Sequence, residues 1–136
     1  MIITQKDKEL IRAASDLLRK LYHARRHRVA AAVRAGSGKI YAAVGINANL
    51  GRCDICAEAA AISKAVSEGE KIFESIAAVK YFPKRKRSAL VAPCGVCREF
   101  ISDFGPVKVI YSAAGSVRKE DVRRLLPNQY NKNGDA

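Results

Sequence analysis

Three thiols and one carboxylate carry the chemistry that this 136-residue sequence offers. Cys56-Ala57-Glu58 is followed, about 36 positions on, by Pro93-Cys94-Gly95-Val96-Cys97. Thiolates are soft ligands that favour zinc over magnesium or calcium. The two histidines, His23 and His27, both lie in a basic stretch, so a metal here is held mostly by sulfur. If Cys94 and Cys97 open a helix, their i, i+3 spacing turns both thiols toward one ion. A helix N-terminus also favours the thiolate. Three protein ligands leave a fourth tetrahedral position free, which separates catalytic zinc sites from closed structural ones. Zinc in such a site lowers the pKa of its water to near neutrality. Glu58, two residues beyond a ligand, can then act as base and afterwards as acid. The chemistry is metal-assisted hydrolysis.

Cys53 supplies the competing reading. Cys53-x-x-Cys56 with Cys94-x-x-Cys97 formally satisfies a four-cysteine structural zinc site, the core of a non-catalytic binding module. The roughly 37 residues between the pairs exceed the ~15–20 typical of such modules. A structural knuckle also requires neither Glu58 nor Pro93. The Cys-x-Glu and Pro-Cys-x-x-Cys pair is instead the signature of zinc deaminases, in which the glutamate is not a ligand. On this reading Cys53 is a small buried residue or a neighbour of the site. A thioredoxin-like redox role lacks the expected βαβ context.

These residues need a scaffold that brings two helix starts together. Thr4 and Asp7 resemble a capping box, with Asp in place of Glu or Gln. Behind them Leu10, Ile11, Ala14, Leu17, Leu18 and Leu21 recur at helical spacing, predicting a helix over ~5–23. Val29–Val33 and Ile40–Ile46, split by Ala35-Gly36-Ser37-Gly38, read as a hairpin. Cys56–Val66 reads as a helix closed by Gly69. Ile72–Tyr81 contains a strand, Phe82-Pro83 opens a basic loop, and residues ~95–103 form a short helix behind Pro93. Val107–Tyr111 is a further strand, and Arg118–Leu126 reads as a last short helix or turn. The order α-β-β-α-β-α-β predicts a mixed sheet covered by helices in one domain over residues 1–136, with 131–136 a polar tail.

Composition narrows the setting. The sequence is 49% hydrophobic, enough to fill one core. No apolar run approaches the ~18 residues needed to span a membrane, and the N-terminus shows no signal-peptide pattern. A soluble cytoplasmic protein is therefore expected, and in a reducing compartment a set of four cysteines points to metal or catalysis rather than disulfides. The formal charge of +12 gathers in Arg25-Arg26-His27-Arg28 and Lys84-Arg85-Lys86-Arg87. Such runs suit a polyanion or a merely solvated surface, and neither is interleaved with aromatics as a base-stacking platform is. A nucleic-acid deaminase is therefore the second enzymatic reading, ranked behind one for a small molecule.

From Val29 to Tyr130 the sequence resembles the small three-cysteine cytidine deaminases, and among them the blasticidin-S-deaminase-like branch. The matching phrases are Ser37-Gly38-Lys39-Ile40-Tyr41, Cys56-Ala57-Glu58, Ala65-Val66-Ser67-Glu68-Gly69, Pro93-Cys94-Gly95-Val96-Cys97-Arg98 and Leu125-Leu126-Pro127-Asn128-Gln129-Tyr130. The resemblance implies a three-layer α/β fold with a five-stranded mixed β-sheet between helices. It implies one zinc per subunit on Cys56, Cys94 and Cys97, with Glu58 as the catalytic residue. It also implies a homo-oligomer, a tetramer ahead of a dimer, with active sites at subunit interfaces. The substrate is then a small aminated heterocycle, such as a cytidine-like nucleoside or a blasticidin-S-like antibiotic. The resemblance assigns the Ala57 N–H to a ring carbonyl, the Ala92 C=O to the departing amine, and Tyr130 to an aromatic substrate contact. Where nucleoside deaminases carry Asn-x-Glu for the ribose, the ungapped register offers Gly45-Ile46-Asn47. A shift of two offers Asn47 and Asn49. Both lack the carboxylate, and Asn47 is the candidate that remains. His27 stands where the family often has a stacking Phe. Ala59 replaces an arginine common after the glutamate, and Arg98 is the candidate for that charge beside the thiolates.

Overall fold

The computed structural model describes residues 1–134; of the polar tail read at 131–136, residues 135 and 136 lie outside the described residues. Thr4 and Asp7 do form the capping box: the Asp7 N–H donates to Thr4 Oγ1 at 3.2 Å and the Thr4 N–H to Asp7 Oδ2 at 2.8 Å. With these orphan donors satisfied, helix α1 runs Gln5–Leu21. Its face of Leu10, Ala14 and Leu18 is buried, and each leucine contributes roughly 1.5–3 kcal/mol by leaving water.

Strands β1 (Val29–Ala35) and β2 (Ile40–Val44) form the expected hairpin. Helix α2 spans Ala57–Ser67, β3 Phe73–Phe82, β4 Arg87–Val91, α3 Gly95–Ser102, β5 Lys108–Ala113 and β6 Ser116–Asp121. The sheet order is β2-β1-β3-β5-β6, with β4 paired to the distal half of β3. Among the described residues only β3 and β5 pair in parallel, and α3 lies in the crossover between them. Helix α1 packs on one face against Ala30, Ala32, Ala77, Val79 and Ile110. Helices α2 and α3 cover the other, over Ala31, Val33, Ile76, Ala78 and Val109. Alanine dominates β1, which is buried on both faces, and its small side chain lets both helix layers approach.

Two sequence expectations need correction. The basic segment after Phe82-Pro83 is not an open loop. It is a tight turn whose far side, from Arg87, is strand β4, with Phe82 opposite Arg87 and Lys86 at φ 52°. Arg118–Leu126 is mostly strand: β6 takes residues 116–121, and only Val122–Leu125 forms a 3-10 turn. A two-residue turn at Ala114 (φ 50°) and Gly115 (φ 79°) returns β6 onto β5. Ala-Gly is an unusual choice for that left-handed turn, where Asn-Gly is the familiar signal. Among the described residues no helix is long and apolar enough to cross a membrane.

The end of β6 is pinned electrostatically. The Asp121 carboxylate accepts from Arg123 Nη2 at 2.9 Å and from the Arg123 N–H at 3.0 Å, and Lys108 stands 3.6 Å away. The Arg123 guanidinium holds the Asp121 carboxyl at about 2, against an ordinary 3.8. A depressed carboxyl adds stability that is full above its unfolded pKa and is lost as pH falls through the folded one. Asp121→Asn is therefore expected to flatten the acid limb of a pH–stability curve between 3.8 and about 2, as read by denaturant midpoints at each pH.

Candidate active site

Both helix starts converge beneath one cavity. Cys56 is the N-cap of α2 and Cys94 the N-cap of α3, both in extended backbone, and Cys97 lies in the first turn of α3. The Cys56 and Cys94 sulfurs are 3.9 Å apart, and all three sulfurs lie within 4.8 Å of one another. Thiolates at ~2.3 Å from a tetrahedral zinc stand about 3.8 Å apart, so the trio fits that ion. Cys53 is exposed in a 3-10 turn (Gly51–Cys53) and stands outside the cluster. The three-thiol cluster thus forms without Cys53.

The thiols' acidities follow their surroundings. Burial, the neighbouring Glu58 carboxylate and the other thiols push Cys97 far up. Burial also raises Cys56, with the Cys94 charge adding to it. Cys94 is the exception: burial opposes ionisation there too, but the Cys97 N–H and thiol outweigh it and lower the pKa. The helix-start effect expected of all three thus prevails at one. Three thiolates this close need a cation among them, which is the donor chemistry of a zinc site.

Glu58 sits in the first turn of α2, only 7% exposed. Burial pushes its carboxyl above the ordinary value, although its own N–H and the Cys97 thiol pull the other way. The cavity above holds about 400 Å³ and is lined by Cys56, Ala57, Glu58, Ala92, Cys94 and Asn47. Six of the residues singled out from sequence therefore meet at one place.

Gly45 explains how the wall comes so close. A Cβ there would lie 3.0 Å from the Ile55 carbonyl oxygen and 3.1 Å from the Ala57 nitrogen. A side chain at 45 would press these neighbours apart by a few tenths of an ångström, and of Asn47 and Asn49 it is Asn47 that lines the cavity. In the shifted register Asn47 takes the asparagine position. Its N–H donates to the Arg26 carbonyl at 2.8 Å. His27 Nδ1 donates to the Gly45 carbonyl at 2.9 Å, so this ring braces the same wall.

Two candidates stand elsewhere. Arg98 makes its hydrogen bonds to carbonyls, not to sulfur: Nε to Pro93 at 2.9 Å and Nη1 to Leu125 at 3.2 Å. It ties the segment before Cys94 to the 3-10 turn Val122–Leu125. Tyr130 is 82% exposed in a separate depression beside Glu99 and Ser102, and it does not line the Glu58 cavity of its own chain. Sequence reasoning missed Val29, Asp54, Lys80 and Phe82, all of which line the cavity. For Lys80 and Phe82 the alternation of β3 gives the sequence signal, legible once Ala78 is known to face α2 and α3.

Comparison with known proteins agrees with this geometry. Residues 4–113 match the family described as the cytidine and deoxycytidylate deaminase zinc-binding region. The chain is 42% identical over 135 residues to blasticidin-S deaminase of Bacillus cereus, covering 96% of each. It is 35% identical over 104 residues to a probable cytidine deaminase of Dictyostelium discoideum, covering 76% of this chain and 68% of the other. The crystal structure of cytidine deaminase from Burkholderia pseudomallei superposes with a TM-score of 0.75 at 28% identity, covering 90% of this chain and 98% of that one.

Proposed function

The chain belongs to the cytidine and deoxycytidylate deaminase family, and from that premise we propose that Glu58, above a zinc held by Cys56, Cys94 and Cys97, deaminates a small cytosine-like heterocycle. The observation that carries this reading is the buried Glu58 beside three converging thiols on the floor of one cavity. Zinc, when bound, supplies Lewis acidity that activates water. Glu58 takes the water's proton, hands it to the ring nitrogen, and delivers a proton to the departing amine. The Ala57 N–H, at the start of α2, donates to the ring carbonyl, and the Ala92 carbonyl accepts from the amine. Asn47 contacts the far side of the substrate. Arg98 positions the Pro93 carbonyl and, through it, the turn that presents Ala92 and Cys94.

Tyr130 serves a neighbouring subunit's cavity in a homotetramer, because it is exposed and remote from its own. Ile46, Leu50, Ile55 and Val96 are exposed apolar side chains of the kind that an interface covers, and Ile46 and Ile55 line the cavity itself. Free thiols at the metal site suit a reducing compartment such as the cytoplasm.

The test is ammonia release by the zinc-loaded protein from a panel of cytosine and adenine bases, nucleosides and blasticidin S. Release from a cytosine compound supports the reading, and silence across the panel contradicts it. Gly45→Ala gives a sharper check, since its Cβ would displace the Ala57 N–H. The approach asks the neighbours to give by only a few tenths of an ångström, a fraction of the ~1 Å that costs about a hundredfold, so kcat/KM is expected to fall by roughly three- to tenfold in steady-state assays.

A further inference from the structure

The two basic runs are far apart in sequence, yet the sheet brings them to one end. The Tyr81 N–H donates to the Arg28 carbonyl at 3.2 Å, and Val29 stands opposite Lys80 in the β1–β3 ladder. The Arg26 carbonyl accepts from Asn47, a cavity residue. The second run forms the turn of the β3–β4 hairpin just beyond Phe82. Both runs therefore border the mouth of the Glu58 cavity.

Alternation along β3 sets Ile76, Ala78, Lys80 and Phe82 on the face that carries α2 and α3. Ile76 and Ala78 enter the core, while Lys80 and Phe82 line the cavity. Lys80 is half-buried, and its Nζ lies 5.6 Å from the centre of the Phe82 ring. The Arg85 guanidinium lies over the same ring at 4.8 Å. Neither Lys80 nor any arginine or lysine of the two runs has an ion-pair partner among the described residues. Across the cavity, the Asp54 carboxylate is held by the Ala48 N–H at 2.6 Å. Cations gathered at a concave, partly desolvated mouth without an ion-pair partner repel one another and, with the exposed Asp54 already engaged by a backbone N–H, focus a positive potential into it.

We infer that Lys80, with Arg85 held beside it on Phe82, is an anion subsite at the mouth of the cavity, selecting substrates with a phosphate or carboxylate remote from the amine. This rests on the deaminase reading for the buried end of the cavity. A small ligand fits better than a nucleic-acid strand, because a strand needs several aromatic platforms. Phe82 is the one aromatic ring lining this cavity, and two cations already occupy its surroundings.

The test uses zinc-loaded Glu58→Gln protein, which binds without turnover, with and without Lys80→Met. Dissociation constants are measured by calorimetry for cytidine, cytidine 5′-monophosphate and a cytidine 5′-carboxylate. At ~50 mM salt at least one anionic compound is expected to bind about tenfold more tightly than cytidine, and ~0.5 M salt should erode that preference by screening. The phosphate and carboxylate arms show which oxyanion is preferred. Lys80→Met, which keeps the stem's bulk, should bring the preference below about threefold at an unchanged Tm. Equal binding of all three compounds, or a preference that survives Lys80→Met, overturns the subsite. Tighter binding of a cytosine oligonucleotide than of the monophosphate also overturns it. Failure of all three to bind counts against the deaminase reading instead. The subsite is then judged with inorganic phosphate: amide shifts at Lys80 and Phe82 that Lys80→Met abolishes sustain it, and their absence refutes it.

Discussion

Replacing Glu58 by glutamine is expected to lower kcat by about four orders of magnitude while the protein keeps its zinc. A single positioned acid–base group contributes roughly 10²–10⁴, and here one carboxylate serves every proton transfer, so the upper end applies. Glutamine preserves the shape of a side chain that is 7% exposed in the first turn of α2. It cannot accept the proton. Among the described residues no other carboxylate is placed to substitute: Asp54, the other acid lining the cavity, is exposed and engaged by the Ala48 N–H. Stability should hold or rise, because burial already disfavours the ionised Glu58. Steady-state ammonia release, with metal content measured on the same sample, checks both halves. A loss of less than tenfold would assign the proton transfers elsewhere.

Cys94→Ala is expected to reduce bound zinc from about one per chain to a small fraction after dialysis against a mild chelator. It is the cleanest of the three ligand changes. Cys97 is 1% exposed and belongs to the core, so its truncation also opens a cavity. Cys94 is exposed and packs little, so what it costs is the metal's contribution. A ligand present at a thousand times its dissociation constant stabilises the fold by about 4 kcal/mol. For a domain of this size that corresponds to a Tm lowered by roughly 10–15 °C. Thermal scans of zinc-loaded and chelated protein should show that gap in the wild type and lose it in the variant. Equal gaps in both would mean that Cys94 holds no metal.

How much of this was legible in the residues follows from what each signal depends on. The thiol trio and Glu58 were readable because each half is local, an i, i+3 pair on one helix start and a Cys-x-Glu on another, and the zinc-deaminase signature joins the halves. The α1 capping box was readable because it is closed within four residues. Strand β6 was not, since the turn that creates it uses Ala114 in a left-handed conformation that alanine seldom adopts. Lys80 and Phe82 looked like the end of a strand before a charged loop. Their place at the cavity depends on β1 and β3 pairing 51 residues apart, Val29 opposite Lys80, which no local pattern reports. Tyr130 carried a role in sequence that one chain cannot satisfy, because its ring stands outside its own cavity. The Asn-x-Glu register was not legible, since both readings lack the carboxylate; the position of Asn47 on the cavity lining is a tertiary fact.

The central claim is that three cysteines hold the metal and leave its remaining position to catalysis. Zinc X-ray absorption on the wild type and on Cys53→Ser tests it most directly. Three sulfur neighbours per zinc in both proteins, at ~2.3 Å, is the predicted result. Four sulfurs in the wild type, falling to three in Cys53→Ser, would make the site a closed structural one and contradict it.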